Sequence, residues 1–125
     1  MILRNGVDLI ETERVQEALD RFGRKFLLRV YTLREIELCE DQIASLAARW
    51  AAKEAVAKAF CTGIGDISFQ EIEILRGPRS EPILHLHGAA EELAKEIGLT
   101  NWSISLSHTN THAIAFVTAM GLQSE

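Results

Sequence analysis

The sequence lacks the features that mark several other classes of protein. No apolar run approaches the ~20 residues of a membrane-spanning helix, and residues 1–4 lack the layout of a signal peptide. We therefore expect a cytoplasmic protein without a membrane partner. The two cysteines, Cys39 and Cys61, have no CxxC spacing, so neither a zinc site nor a disulfide framework is indicated. Without a linker, low-complexity segment or clear repeat, residues 1–125 are predicted to form a single domain.

Positive charge is scarce overall but concentrated in one segment. The formal net charge of -5 argues against nucleic acid as the partner. Between Arg14 and Arg34, however, six basic residues face only two acidic ones, a net charge of +4. A basic patch on an acidic protein predicts a local anionic partner.

Residues 48–60 hold six alanines and no Gly, Pro or Asn, which predicts a helix. Gly63 is expected to end this helix, and Asp41 is expected to cap its start. Glu54 and Lys58 fall on one stripe of the helix. They form either an exposed i,i+4 ion pair or a functional pair, and the spacing alone leaves both interpretations open.

Residues 2–10 are typical of a β-strand, with a carboxylate among its apolar residues. Buried without a partner, Asp8 would cost several kcal/mol, so it must meet a cation, a metal or water. Alternatively, Asp8 is a strand-end residue that turns into the next helix. Thr12 is expected to cap that helix.

Two further strands are predicted on either side of a Gly-Pro turn. Residues 67–76 alternate, with Glu71 and Glu73 expected to point outward. Residues 83–87 form the returning strand, which places two histidines on one face. We favour an exposed polar face over a His-x-His metal site here.

The rest of the chain completes the expected fold. A capping box at residues 32–35 opens a short helix, residues 89–97 form another, and residues 102–108 and 113–118 form a hairpin. Hairpins in place of regular βαβ units predict an α+β fold. It should have a largely antiparallel sheet, one long central helix and shorter helices.

Four motifs, spread from residue 6 to residue 115, carry a resemblance to a known family. They are Gly6-Val7-Asp8-Leu9 with Arg14, Phe26-x-x-Arg29-Val30-Tyr31-Thr32-x-x-Glu35, Arg49-Trp50-Ala51-Ala52-Lys53-Glu54-Ala55-x-x-Lys58-Ala59 running on to Gly63-Ile64-Gly65, and Ser105-Leu106-Ser107-His108 with Ala113-Ile114-Ala115. In this order they resemble the holo-acyl-carrier-protein synthase family, the small bacterial 4'-phosphopantetheinyl transferases. The resemblance implies the 4'-phosphopantetheinyl transferase-like fold.

The resemblance implies a reaction of fatty acid biosynthesis. The phosphopantetheine arm of coenzyme A passes to a serine of apo acyl carrier protein, and adenosine 3',5'-bisphosphate leaves. Asp8 and Glu54 are the implied ligands of Mg²⁺, which prefers few carboxylates together with water and phosphate oxygens. With Lys58 they form the implied catalytic set. Either Glu54 or a magnesium-bound water would take the serine proton, and the sequence leaves this choice open.

The binding residues follow from the same resemblance. Those implied for coenzyme A are Arg49, Lys58, Gly63, Ser107, His108 and Thr109. Those implied for the acidic carrier protein are Arg14, Arg21 and Arg24, although each could instead belong to a solvated helix face. His108 could likewise be a structural histidine. The family also implies a homotrimer with active sites between neighbouring protomers.

Three residues depart from the family pattern. Cys61 stands where glycine is common, Asp66 replaces a frequently basic residue, and His112 replaces an aromatic one. Two other functions compete with the transferase: a module that binds coenzyme A or an acidic protein without chemistry, and a metal-dependent phosphohydrolase acting on coenzyme A. The carboxylate pair argues against the binding module.

Overall fold

The computed structural model describes residues 1–62 and 64–122. That part of the chain contains five α-helices, one 3-10 turn and five strands, and the strands and the long helix follow the predicted order. None of these helices is both long and apolar enough to cross a bilayer. The elements are β1 Ile2–Glu11, α1 Thr12–Phe22, α2 Arg24–Val30, α3 Leu33–Cys39, α4 Ile43–Ala59, the 3-10 turn Phe69–Glu71, β2 Ile72–Arg76, β3 Pro82–Leu86, α5 Gly88–Ile97, β4 Asn101–His108 and β5 His112–Gly121.

The strands pair in antiparallel fashion, as predicted, but they form two sheets. One sheet has the order β1-β5-β4 and the other pairs β2 with β3. The hairpin predicted around residues 109–111 joins β4 to β5. In the larger sheet Asp8 lies opposite Ala115, so the first and last strands of the fold are neighbours. The α+β fold class is confirmed.

Helix α4 packs against both β1 and β5 through small side chains. Three buried alanines of β5 meet a helix that is itself rich in buried alanine. The closest approach is at Gly6 in β1, where an added Cβ would lie 1.9 Å from the Ala55 carbonyl oxygen. Only glycine therefore lets the backbone of β1 come this near to the helix. The buried alanines are Ala51, Ala52, Ala55 and Ala59 on the helix and Ala113, Ala115 and Ala119 on the strand.

A buried ion pair fixes the opposite side of α4. The Lys53 ammonium donates to Glu35 Oε1 at 2.8 Å and to the carbonyl oxygens of Phe69 and Ile72. Both charged side chains are fully buried. Glu35 also accepts from the Ile74 amide at 2.9 Å, so α3, α4 and β2 meet in one network. Burial lowers the pKa of Lys53, and the Glu35 carboxylate opposes that shift.

The helix ends predicted from the sequence are partly wrong. Glu11, not Thr12, is the N-cap of α1; Thr12 is the first helical residue and its hydroxyl donates to the Asn110 carbonyl at 2.9 Å. Gln42 caps α4, because Asp41 takes a left-handed conformation with φ of 60°. Helix α4 already ends at Ala59, and Gly63 lies outside the described residues.

Glu73 was expected to point outward, and this is also wrong. The strand starts at Ile72, and the Glu73 side chain is only 4% exposed. Thr32 Oγ1 donates to it at 2.6 Å, and Nε2 of the exposed His87 lies 3.1 Å from its other oxygen. Burial opposes the charged form, but these hydrogen bonds and the nearby Arg34 charge outweigh it and lower the pKa of Glu73. The carboxylate is buried because α3 and His87 cover this face of the strand.

We predict that Gly6→Ala destabilises the fold by about 3 kcal/mol or more, because the new methyl group meets helix backbone that cannot move aside locally. Gly65→Ala is the matched control, since no atom of residues 1–62 and 64–122 lies within 4 Å of a Cβ at Gly65. Urea unfolding of both variants measures the difference. Equal stability of the two variants would refute the close approach.

Candidate active site

Asp8, Glu54 and Lys58 come together where β1 meets α4. The Lys58 ammonium donates to Asp8 Oδ1 at 3.1 Å and to the Val7 carbonyl at 2.9 Å. Lys58 is thus paired across the strand–helix contact with Asp8, not along the helix with Glu54. Asp8 lies three residues before the end of β1, so it is not a strand-end residue that turns into the next helix. It meets a cation instead.

Glu54 is partly buried beside a second carboxylate. Burial and the negative charge of Asp8 raise the pKa of Glu54, while the charges of Lys58 and Arg14 act against that rise. Two carboxylates close enough to repel each other form a donor pair for a hard divalent cation, and they leave coordination positions for water and ligand oxygens. Within residues 1–62 and 64–122 no cluster of three or more metal-ligating side chains occurs. The oxygen donors that this site offers are the carboxylates of Asp8 and Glu54.

Arg49 and His108 share a cavity of about 220 Å³ with two serines and a second arginine. The Arg49 side chain is largely buried, and its Nε donates to the Ile74 carbonyl at 3.1 Å. The guanidinium is thus held firmly at the cavity wall. A fixed arginine beside hydroxyl groups suits a phosphate group. The residues that sequence reasoning missed here are Ser45, Arg76 and Ser80.

The remaining residues implied for coenzyme A are more scattered. Thr109 and His108 line a second cavity of about 660 Å³ near the β4–β5 turn, together with His112. The Thr109 hydroxyl accepts from the His112 amide at 3.1 Å. Ser107 lies opposite Ile114 in the register, one residue before His108 and so on the other face of the strand. Gly63 lies outside the described residues, and Asp66 is exposed.

The three arginines implied for the carrier protein are all exposed on α1 and α2. The guanidinium carbon of Arg14 lies 5.3 Å from the centre of the Trp50 ring, a cation–π contact that holds it near the acidic pair. Arg21 lies 5.5 Å from the ring of Phe22. Arg24 is the first residue of α2.

An apolar pocket of about 590 Å³ opens next to these arginines, and sequence reasoning missed it. Trp50 borders it and makes an edge contact with Phe69, their ring centres 6.5 Å apart. The sequence shows aromatic residues at positions 22, 26, 50 and 69, but it does not show that they share one pocket. They come together in the tertiary structure. The lining residues are Ala18, Phe22, Lys25, Phe26, Arg29, Val30, Trp50 and Phe69.

An acidic pair beside an ammonium group, together with a cavity walled by arginine and histidine, is typical of enzymes that act on phosphate esters. Residues 4–117 match the 4'-phosphopantetheinyl transferase superfamily. The chain is 47% identical over 127 residues to the holo-[acyl-carrier-protein] synthase of Herpetosiphon aurantiacus. The matched region covers 96% of this chain and 100% of that protein.

Solved structures agree with this match. Holo-[acyl-carrier-protein] synthase of Helicobacter pylori, in complex with coenzyme A, superposes with a TM-score of 0.86 at 35% identity, over 93% of this chain and 99% of that one. The Neisseria meningitidis synthase gives 0.86 at 33% identity, over 94% and 97%. This chain belongs to the 4'-phosphopantetheinyl transferase superfamily, which confirms the family, the fold and the class of enzyme expected from the motifs.

Cys61, one of the three departures from the family pattern, has an unusual backbone conformation. Its φ of 62° lies in the left-handed region that glycine adopts without penalty, so glycine, the residue expected here from the resemblance, would suit the backbone better. Arg4 compensates in part, because its Nη1 lies 2.9 Å from the Cys61 sulfur and 3.3 Å from the Ala59 carbonyl oxygen.

We predict that Cys61→Gly is more stable than Cys61→Ala by about 1 kcal/mol, because both variants lose the sulfur but only alanine keeps the left-handed penalty. Chemical unfolding under reducing conditions measures the difference. If the two variants unfold at the same denaturant concentration, Cys61 carries no backbone strain.

Proposed function

We propose that this protein transfers the 4'-phosphopantetheine group of coenzyme A to a serine of an apo acyl carrier protein and releases adenosine 3',5'-bisphosphate. The observation that carries the proposal is the meeting of Asp8, Glu54 and Lys58 at the contact of β1 with α4. Its substrates are those named for similar proteins, among them the Helicobacter pylori synthase bound to coenzyme A. We place this activity in the cytoplasm and in fatty acid biosynthesis.

Asp8 and Glu54 would hold Mg²⁺, since two neighbouring carboxylates match its preference for few protein oxygens. When bound, the ion neutralises negative charge on the diphosphate. The Lys58 ammonium would stabilise the charge that develops on the departing phosphate. Either Glu54 or a magnesium-bound water would accept the serine proton.

The nucleotide end of coenzyme A would occupy the cavity of Arg49 and His108. Both side chains can donate hydrogen bonds to phosphate oxygens, and Arg49 is already held by the Ile74 carbonyl, so little side-chain entropy is lost on binding. Thr109 would contribute from the neighbouring cavity, which it shares with His108. The roles of Ser107 and Gly63 in binding coenzyme A stay predictions from the sequence. The residues that line this cavity do not include Asp8, Glu54 or Lys58.

The carrier protein would bind at α1 and α2. Arg14, Arg21 and Arg24 would orient its acidic helix through charge pairs, and an apolar side chain of the carrier would enter the pocket beside Trp50. The cation–π contact of Arg14 with Trp50 supports this arrangement, because it links the basic surface to the pocket.

A homotrimer would complete each active site. The outer face of the larger sheet exposes a row of apolar side chains, and such a face on a small protein marks an interface. A neighbouring protomer on this face would bring the cavity of one chain towards the acidic pair of the next. The exposed apolar residues are Leu3, Val7, Leu9, Ile114, Phe116 and Met120.

Incubation with coenzyme A, Mg²⁺ and apo acyl carrier protein should add one phosphopantetheine to the carrier, seen by mass spectrometry. Chelation of divalent cations should stop the reaction, and Glu54→Gln should slow it by about a hundredfold or more. Glu37→Gln, an exposed change on α3, is the matched control and should keep the wild-type rate.

The same assay separates the competing functions. Binding of coenzyme A that ignores Mg²⁺, with no product, would indicate the binding module. Release of nucleotide without any carrier present would indicate the phosphohydrolase. An unchanged rate for Glu54→Gln would remove Glu54 from the mechanism.

We predict that Phe116→Asp dissociates the trimer into protomers, because a charge at the centre of an apolar interface must lose its water. Sedimentation equilibrium measures the assembly. Ile83→Asp changes a similarly exposed apolar residue on the other sheet and should leave the trimer intact. A monomeric wild-type protein, or a trimeric Phe116→Asp variant, would contradict the proposed interface.

A further inference from the structure

The Lys58 ammonium is hydrogen-bonded to one of the two proposed metal ligands. Its Nζ lies 3.1 Å from Asp8 Oδ1 and 2.9 Å from the Val7 carbonyl oxygen. The Lys58 side chain is 55% exposed and that of Asp8 21%, so the pair lies at the mouth of the site, not in the core. An ammonium in this position can leave without disturbing the packing of α4 against β1.

We propose that Lys58 stands in for the divalent cation in the free protein, and that coenzyme A, by drawing Lys58 to its phosphates, makes metal binding stronger. The proposal rests on the proposed function, because it takes Asp8 and Glu54 as the metal ligands. It adds that Lys58 couples the two binding events.

The charges around the site support this competition. Two carboxylates, Asp8 and Glu54, face two cations, Lys58 and Arg14, so the cluster is close to neutral. A neutral cluster attracts a divalent cation only weakly, and an ammonium on Asp8 repels it at short range. When Lys58 turns away from Asp8, the cluster gains one net negative charge and Oδ1 becomes available as a ligand.

Displacing Lys58 has a cost that coenzyme A can offset. A partly exposed ion pair and a single hydrogen bond to the Val7 carbonyl are both weak contacts in net free energy. In the absence of phosphate the ammonium loses both contacts when a metal takes Asp8. With coenzyme A present, diphosphate oxygens replace them. By linkage, the factor by which coenzyme A strengthens metal binding equals the factor by which metal strengthens coenzyme A binding.

Mn²⁺ is the probe for the test, because its free form is counted directly by electron paramagnetic resonance. Wild type, Lys58→Met and Lys95→Met are titrated with Mn²⁺, with and without coenzyme A and without carrier protein. Lys95 forms its ion pairs on α5 and serves as the matched loss of one positive charge. Titration of coenzyme A alone corrects for Mn²⁺ bound to the free nucleotide.

Without coenzyme A, Lys58→Met should bind Mn²⁺ about threefold to tenfold more tightly than wild type, because no ammonium has to be displaced. The gain in Mn²⁺ affinity on adding coenzyme A should be smaller in Lys58→Met than in wild type. Lys95→Met should match wild type in both conditions. Equal or weaker Mn²⁺ binding by Lys58→Met in the absence of coenzyme A would overturn the proposal.

Asp8→Asn separates this inference from the proposed function. If Asp8→Asn loses Mn²⁺ binding while Lys58→Met binds as wild type does, the metal site stands and the role of Lys58 as a substitute cation is refuted. If Asp8→Asn binds Mn²⁺ as wild type does, the proposed metal site itself is wrong and the inference falls with it.

Discussion

The separation between helix α4 and strand β1 is the constraint on which the site depends. Gly6 lets the strand backbone come so near the helix that a single added Cβ would overlap the Ala55 carbonyl oxygen. At this separation Lys58 can reach both the Val7 carbonyl and a carboxylate fifty residues earlier in the chain. Because protein interiors are close-packed, larger side chains along this contact would move Asp8 and Lys58 apart.

The rotation of α4 about its axis is fixed from the other side. Lys53 points towards α3 and β2, where Glu35 and two carbonyl oxygens hold its ammonium. The next residue, Glu54, is turned by about 100° around the helix and faces the β1 side. A buried ion pair contributes little net stability, but it defines one arrangement of the groups around it. Here that arrangement determines which face of α4 presents its carboxylate to Asp8.

Local patterns in the sequence were sufficient for most of the architecture. Alternation in β4 and β5 and the alanine content of α4 predicted elements that the structure contains, because these signals depend on near neighbours. Glu73 was assigned to the wrong face because alternation assumes that one side of a strand meets water, whereas α3 and His87 cover it. The helix caps were wrong where tertiary contacts, such as that of Thr12 with Asn110, replaced the local cap.

The candidate site, too, could be predicted only in part from the sequence. The motifs identified Asp8, Glu54 and Lys58, but the sequence could not show that Lys58 pairs with Asp8, a contact between distant elements. The contribution of Arg76 and Ser80 to the cavity of Arg49 was missed because a hairpin turn gives no sign of which residues lie opposite it. The sequence also could not predict the left-handed backbone of Cys61, because non-glycine residues rarely adopt this conformation.

The pairing of β1 with β5 has a consequence for the newly made chain on the ribosome. Asp8 lies in a strand whose partner, opposite Ala115, is synthesised more than one hundred residues later. Until then β1 presents an unpaired edge, and Ile10, which is buried in the folded chain, lacks the contacts that cover it. Such long-range pairing closes a large loop, which slows folding and lengthens the time during which other chains can associate with that edge.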